Sequence, residues 1–349
     1  MSKMSDVANA AGVSIATVSN YLSGKKYVSK EKSIIIQNAI DEMHYEVNLA
    51  ARSLKLNRSF KIGIVIPEIT SIFFSQVFRG MRDAIKGTDY SFIFYDTNYD
   101  FKKEQKAIRD LKKDRVDAII IETSCEYTMQ KEWADYLSRK WINEKKMPIV
   151  FMEFYTDCKG VSNVYFDNRG LSRMCFKYLL GKNCKNVLYI SGDPKTIVGH
   201  ERIEGFKEGI KEAGKKLDEK YILSGDLSSE SGYENVKRAI ESGIEFDAVQ
   251  AVNDQTAVGV LKALKEAKLN VPCDVMLTGC DNLFPATLVS PQITTIDIPA
   301  YAIGQESVKA AIKMLDEGVE RISKEMPYHL VERRSTNKDC ESEWNLSRW

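Results

Sequence analysis

Seven short apolar runs between residues 61 and 281 constrain the fold of this 349-residue chain more than any other feature. Amphipathic segments such as 101–114 and 255–268 separate most of them. Continuous apolar runs of this length are typical of parallel strands that are buried on both faces. The runs are KIGIVIP, SFIFYDT, DAIIIET, MPIVFMEF, NVLYISGD, DAVQAVND and DVMLTGCD. The alternation predicts an α/β fold with right-handed crossovers and ligand sites at the carboxyl ends of the strands.

Several classes of function lack support in the sequence. No GxGxxG motif follows the first strand and there is no P-loop, so no nucleotide cofactor is predicted. The three histidines, His44, His200 and His329, belong to no nucleophile motif and to no HExxH motif. We therefore expect no enzyme, no cofactor and no metal site. Seven cysteines without a CxxC pair indicate reduced thiols in a cytosol.

The chain shows no apolar run near the roughly 20 residues that a membrane helix needs. Its first residues, MSKMSDVANAAG, form no apolar secretory core. Both observations predict a cytoplasmic protein that does not insert into a membrane.

The stretch AGVSIATVSNYLSG near the start of the chain predicts two short helices separated by a tight turn. Met4 to Ala11 has helical periodicity, Gly12 suits a left-handed stop, and Ser14 suits the N-cap of a second helix. Ser29 can cap a third. Three short helices with a tight turn between the first two describe a helix-turn-helix unit. The alternative is a small helical cap that packs on the body of the protein.

Charge and side-chain type at the second helix favour DNA. Residues 1–60 hold eight Lys/Arg and five Asp/Glu, while the whole chain has a net charge of +1. This mildly basic head permits phosphate binding. The small apolar groups of Ile15 and Ala16 can meet thymine methyls, and Thr17, Ser19 and Asn20 can donate to phosphates or base edges.

A series of motifs supports the prediction of a DNA-binding head and indicates one protein family. The segments DVANAAGVSIATVSNYLSGKKYVS and AIDEMHYEVNLAARSLKLNRSFKIGIVIP resemble the head and hinge of the LacI/GalR (lactose-repressor) family. The similarity continues through IFFSQVFRGMRDAI, VDAIII, FDNRG, ERIEGFKEGI, DAVQAVNDQTAVGVLKAL, DVMLTGCDN and SPQITTIDIP, and spans nearly all of residues 4–336. The resemblance implies a transcriptional repressor of the bacterial cytosol, associated with the nucleoid through DNA, whose operator affinity a small molecule controls.

The resemblance also implies DNA-contacting residues in the head. Ile15 and Ala16 match the family's main base-reading pair, and Asn20 matches another groove-facing position, where arginine or histidine is common. Thr17, Ser19 and Tyr27 match positions that hold the sugar-phosphate backbone, and Ser14 begins the same helix. The implied partner is a pseudo-palindromic operator, bound by a homodimer or a higher oligomer.

Residues 48–57, NLAARSLKLN, form a segment of helix formers that is too short to be a stable free helix. The resemblance implies a hinge helix that Asn48 caps and that folds on the operator beside its dimer mate. Leu54 then matches the leucine that wedges between base pairs in the minor groove, with Arg52 and Lys55 at phosphates. The alternative for Leu54 is ordinary burial against the body.

For the body, the resemblance implies two lobes like those of a type I periplasmic sugar-binding protein, with crossovers near Asp167, Thr295 and Met326. The expected domains are a helix-turn-helix head, a hinge, an N-terminal lobe, a C-terminal lobe and a tail. Their respective bounds are 1–47, 48–60, 61–166 with 296–325, 167–295 with 326–336, and 337–349.

The effector is expected in the cleft between the lobes. The residues implied are Ile72, Phe73, Phe74, Glu153, Arg202, Leu227, Asp254 and Asp281. Core packing explains the first three almost as well, Asp254 could be a helix N-cap, and Asp281 could serve a turn. A sugar or sugar phosphate is the first expectation, followed by a purine-like effector or a protein corepressor. The rival function is a solute-binding receptor without gene regulation.

Overall fold

The computed structural model describes residues 2–23, 26–45, 53, 56–144 and 147–341. It divides the chain into two units, Met1–Ser59 and Phe60–Trp349. The hinge residues Asn48, Arg52, Leu54 and Lys55 lie outside the described residues.

The described residues of the first unit include the helices α1 (Met4–Ala10), α2 (Ile15–Ser23) and α3 (Lys30–Glu42). Gly12 has a φ of 64°, a left-handed conformation that costs little without a Cβ. The Ser14 hydroxyl accepts from the Thr17 N–H at 3.1 Å, and the Ser29 hydroxyl caps α3. These three features confirm the predicted boundaries of the helices. The core of the unit is formed by Val7, Ala8, Ala11, Val18, Ile36, Ala39 and Tyr45.

The second unit is built on two six-stranded sheets. The first sheet contains β1 (Lys61–Ile66), β2 (Ser91–Asp96), β3 (Ala118–Ile121), β4 (Ile149–Met152), β5 (Ser162–Tyr165) and β11 (Ser323–Glu325). The second contains β6 (Val187–Ser191), β7 (Ile222–Ser224), β8 (Ala248–Ala251), β9 (Met276–Cys280), β10 (Thr294–Asp297) and β12 (His329–Val331). The strand orders are β11-β5-β4-β3-β1-β2 and β12-β10-β9-β8-β6-β7.

Helices alternate with these strands, as in other α/β folds. They are α4 (Ile72–Ala84), α5 (Phe101–Lys113), α6 (Gln130–Leu137), α7 (Asn168–Gly181), α8 (Ile197–Glu212), α9 (Ser229–Glu241), α10 (Asp254–Glu266), α11 (Pro285–Leu288) and α12 (Ala300–Glu317). Short 3₁₀ turns span Tyr127–Met129 and Glu219–Tyr221, and a π-helical turn spans Ser138–Asn143.

All seven predicted strands are present, and the α/β class is confirmed. The prediction that each is buried was wrong for β2, in which three residues are half-buried and three are exposed. The reason is its position, because β2 forms the edge of the first sheet. The parallel pattern is also incomplete, since β12 pairs with β10 in the antiparallel sense.

The chain passes between the two sheets three times: after β5, between β10 and α12, and between β11 and β12. Helix α12 packs closely on α4 through glycines. A Cβ on Gly80 would lie 1.9 Å from the carbonyl oxygen of Tyr301, and one on Gly304 would lie 2.0 Å from that of Val77. Because the chain returns in this way, both sheets share one core at their junction.

Candidate functional site

A cavity of about 870 Å³, counting the part open to solvent, lies where the carboxyl ends of strands from both sheets meet. Pro67 follows β1, Glu122 follows β3 and Glu153 follows β4, while Asn253 and Asp281 follow β8 and β9. This is the edge at which parallel α/β sheets bind their ligands. The predicted location of the ligand site therefore coincides with a cavity at this edge of the sheets.

Four side chains in the cavity wall are held by a left-handed backbone. The φ angles are 56° for Tyr99, 60° for Glu153, 73° for Leu227 and 101° for Asp281. Residues other than glycine adopt such φ angles at a cost in free energy, and residues with these angles cluster at ligand sites. Here the turn at the end of each segment leaves the side chain in the cavity wall.

Arg202, in α8, is the one cationic side chain among the described residues that line the cavity. It is 4% exposed. Its Nε donates to Asn168 Oδ1 at 2.8 Å and its Nη1 donates to the carbonyl oxygen of Val252 at 2.6 Å. Its Nη2 lies 3.6 Å from Asp281 Oδ1. Burial raises the pKa of Asp281 to about 6, although Arg202 acts in the opposite direction.

Glu122 and Glu153 bring two carboxyl groups together in the wall. They follow adjacent strands, in which Ile121 is in register with Phe151. The Glu122 N–H donates to Val65 and the Glu153 N–H donates to Val164, which ties each residue to its sheet. The two carboxyl groups lie within hydrogen-bonding reach of each other, and burial raises the pKa of both. We call these two residues the acid pair.

A third glutamate lies behind the wall. Glu104 is fully buried, and its Oε1 accepts from Thr123 Oγ1 at 2.8 Å and from Trp133 Nε1 at 2.7 Å. Its Oε2 accepts from the N–H of Ser124. Because Thr123 and Ser124 both line the cavity, Glu104 positions this part of the wall without facing the ligand space itself.

Two segments meet at the cavity from opposite sheets. The N–H of Tyr127 donates to the carbonyl oxygen of Lys195 at 2.7 Å, and Glu126 forms a β-bridge with Thr196. The Tyr127 ring stacks on His200 with the ring centroids 3.6 Å apart. Since Thr196 lines the cavity, these contacts hold the two sides together beside it. We call this set of contacts the latch.

The structure brings together six of the eight side chains that were predicted to contact the effector. The cavity is lined by Phe73, Phe74, Glu153, Arg202, Leu227 and Asp281. Ile72 does not line it: the side chain is half-buried, packs against the core and borders a neighbouring groove.

Asp254 also lies outside the cavity wall. It is fully buried and accepts from Thr295 Oγ1 at 2.6 Å and from the N–H of Leu283 at 2.7 Å. Its side chain therefore supports the loop after β9. The N-cap alternative was also wrong for Asp254, because Asn253 accepts from the Thr256 N–H at 2.7 Å and caps α10.

Glu122, Tyr99 and Asn253 were not among the predicted effector-contacting residues, but all three line the cavity. Glu122 and Asn253 could have been found, because each follows an apolar strand and the carboxyl ends of such strands face the ligand. Tyr99 carries no comparable signal, since it lies in a loop three residues beyond Asp96, which ends the edge strand β2.

In the head, the predicted DNA-contacting side chains lie on the surface. Ile15 is 52% exposed and Tyr27 is 91% exposed. Ser14 and Ala16 are exposed, and Thr17, Ser19 and Asn20 are half-buried. The apolar side chain of Ile15 at the start of α2 is thus open to a partner, as expected of a base-reading surface.

Two absences hold for the residues that the structure describes. None of their His, Cys, Asp and Glu side chains form a group of three or more that could hold a metal ion. Within the same ranges, every helix is too short or too polar to cross a membrane.

Comparison with known proteins assigns both units. Residues 3–48 match the family described as bacterial regulatory proteins, lacI family. Residues 176–336 match the periplasmic binding protein-like domain. The solved structure of the lac repressor dimer bound to operator and the anti-inducer ONPF has a TM-score of 0.80 at 22% identity. That match covers 96% of this chain and 99% of the other, and it shows the shared fold.

Two curated relatives are similar over almost their whole length. The HTH-type transcriptional regulator RegA of Clostridium saccharobutylicum is 30% identical over 333 residues, which cover 95% of this chain and 98% of the relative. The ribose operon repressor of Escherichia coli is 30% identical over 319 residues, which cover 91% of this chain and 94% of the relative. The chain therefore belongs to the lacI family of bacterial regulatory proteins and is a DNA-binding transcriptional regulator.

Proposed function

We propose that the chain is a cytoplasmic, non-enzymatic repressor that binds a pseudo-palindromic operator as a homodimer. Its operator affinity falls or rises when a small effector enters the cavity. The observation that carries this proposal is the cavity itself, walled by strand ends of both sheets and joined to a family-typical head in one chain. A dimer of heads reads two half-sites, which accounts for the symmetry of the operator.

The proposed domains follow the expected boundaries. The head (1–47) reads bases through Ile15, Ala16 and Asn20, and the hinge (48–60) inserts Leu54 into the minor groove. The two lobes are 61–166 with 296–325 and 167–295 with 326–336, followed by the tail at 337–349. Support comes from the strands, since β5 and β11 belong to the first sheet and β12 to the second, although β10 of the second sheet extends two residues past the boundary at 295.

The proposed effector is a small polyhydroxylated molecule such as a sugar. Phe73 and Phe74 supply apolar surface, while Arg202 and Asp281 supply polar groups that can orient hydroxyls. The ribose operon repressor is named for a sugar operon, which supports the same class of ligand. Differential affinity of about 1–3 kcal/mol for two lobe arrangements would change operator affinity roughly 5- to 150-fold.

The head is tested by selecting operators for the full chain from random DNA and then comparing Ile15→Ala with Ile34→Ala. The two isoleucines are similarly exposed, at 52% and 55%, but Ile34 lies on α3. Loss of one apolar contact to a base should weaken operator binding roughly 5- to 100-fold for Ile15→Ala only. Equal effects of the two variants would contradict the assignment of α2 as the reading helix.

The hinge is tested with Leu54→Ala, and Leu56→Ala serves as the neighbouring control. Leu54→Ala should weaken binding to the selected operator and leave the melting temperature unchanged, because the wedge gains its partner only on DNA. If the operator affinity of this variant equals that of the wild type, the wedge assignment is wrong.

A further inference from the structure

The charges in the cavity wall do not balance. Three carboxyl groups, those of Glu122, Glu153 and Asp281, share the cavity wall with the guanidinium of Arg202, and the described wall contains no lysine and no histidine. Arg202 is already engaged, since it contacts Asp281 and donates to Asn168 and Val252. Arg202 attracts both carboxyl groups of the acid pair, but among the described residues its ion pair in the wall is with Asp281.

Apart from a proton held within the pair, two oxygens of the acid pair have no hydrogen-bond donor among the described residues. Glu122 Oε2 and Glu153 Oε1 are buried, and no N–H or O–H group of the described residues donates to either oxygen. Glu153 is 8% exposed. A buried acceptor without a donor costs free energy, and a buried carboxylate costs more. Two such oxygens side by side in a ligand cavity call for a donor that the ligand supplies.

We propose that the cavity selects an effector with a protonated amine, an amino sugar rather than a neutral or phosphorylated sugar, and that the amine binds the acid pair. The proposal rests on the proposed function, namely that this cavity holds the effector. An ammonium group has three N–H donors and one positive charge, so it satisfies both oxygens and neutralises one carboxylate. The ring hydroxyls then face Arg202 and Asp281.

Other ligand classes fit the acid pair less well. A phosphate would meet carboxylates with only the engaged Arg202 to attract it, and like charges at close range repel. A neutral hydroxyl has one hydrogen to donate and no charge, so it cannot replace the proton that the acid pair shares in the empty cavity. The expected effector class, a sugar or sugar phosphate, is thereby narrowed to an amino sugar.

Binding of the amine should release a proton. Two adjacent buried carboxyl groups do not ionise together, so the pair holds at least one proton before the ligand binds. The incoming ammonium takes its place, and the displaced proton goes to solvent. At neutral pH, binding should therefore release about one proton for each ligand bound.

The test is calorimetry on the full chain at pH 7 with matched probes. Glucosamine, galactosamine and mannosamine are compared with their parent hexoses, their N-acetyl derivatives and their 6-phosphates. At least one free amine should bind roughly 10- to 150-fold more tightly than its parent and its N-acetyl form, which is the range for a charge-assisted hydrogen bond. Repeating the titration in buffers of different ionisation enthalpy counts the released protons.

Glu122→Gln and Glu153→Gln should each abolish the preference for the amine and the proton release. Both replacements keep the size of the side chain and remove a buried charge, so their melting temperatures should equal or exceed that of the wild type. Glu132→Gln is the matched control, because Glu132 is exposed on α6, lies outside the cavity wall and should leave the preference unchanged.

The outcomes separate this inference from the proposed function, because operator affinity is measured in the same samples. If no free amine binds, or if a neutral or phosphorylated sugar binds as tightly, the amine site is overturned. Should such a sugar still change operator affinity, the regulatory function stands without the amine site. If an amine binds at the acid pair and operator affinity does not change, the amine site stands and the coupling to DNA fails.

Discussion

Replacing Glu104 with glutamine should lower the stability of the second unit and change how that stability depends on pH. The carboxylate accepts from Thr123, Ser124 and Trp133 through both of its oxygens. Glutamine has only one oxygen, so its NH₂ group must face at least one of these donors. A buried donor left without an acceptor costs about 1–3 kcal/mol.

The pH dependence follows from burial, which raises the pKa of Glu104 to about 7 from an ordinary value of 4.5, although its hydrogen bonds act in the opposite direction. The folded state therefore holds this proton more tightly than the unfolded state. The stability that results is fully present below pH 4.5 and is lost as the pH rises through 7. Between pH 5 and pH 8 the loss is about 2–3 kcal/mol, because each tenfold change in a dissociation constant is about 1.4 kcal/mol.

Glutamine does not titrate, so the destabilisation by Glu104→Gln should be largest near pH 5 and about 2–3 kcal/mol smaller at pH 8. Urea unfolding at several pH values measures it, and the fluorescence of Trp133, which donates directly to Glu104, reports locally. Glu132→Gln on α6 is the control, because that side chain is exposed. An unfolding free-energy difference that stays constant from pH 5 to pH 8 would refute this account of Glu104.

Two further predictions concern packing and the latch. Gly80→Ala should destabilise the chain by about 1–3 kcal/mol in thermal melts, since its Cβ would lie 1.9 Å from Tyr301 O, whereas Gly181→Ala has open space and should not. Equal melting temperatures for the two variants would contradict the close approach of α4 and α12. Tyr127→Ala removes the stack on His200 and should speed effector release roughly 2- to 10-fold in stopped-flow measurements, the worth of an aromatic pair. An unchanged release rate would mean that the latch does not retain the ligand.

The head could be predicted in detail because its signals act over one turn of helix. Gly12 ends α1 through its own backbone angle, and Ser14 caps α2 through a hydrogen bond to a residue three positions away. Neither depends on the rest of the chain. The strands of the second unit were similarly predictable where burial on both faces leaves a continuous apolar run, as in β1 and β3.

Five strands were not predicted, namely β5, β7, β10, β11 and β12, and the last two have no such run. Strand β11, Ser323–Glu325, is fully exposed, and β12, His329–Val331, is half-buried at best. Both occupy sheet edges, where only pairing with a neighbour makes a strand of the segment. Their existence depends on contacts with β5 and β10, which are distant in the sequence.

In the cavity wall, too, one part can be predicted from the sequence and another depends on how the sheets pack. The sequence alone predicts that polar side chains come directly after apolar strands and therefore gather at one edge of each sheet. It did not determine which of them face the ligand: Glu122 lines the cavity, whereas Asp254 turns to Thr295 and the Leu283 N–H. That choice depends on backbone angles at the strand ends and on the partners that the neighbouring strands supply. Both are set only when the two sheets pack, since the groups that compete for each side chain come from distant parts of the chain.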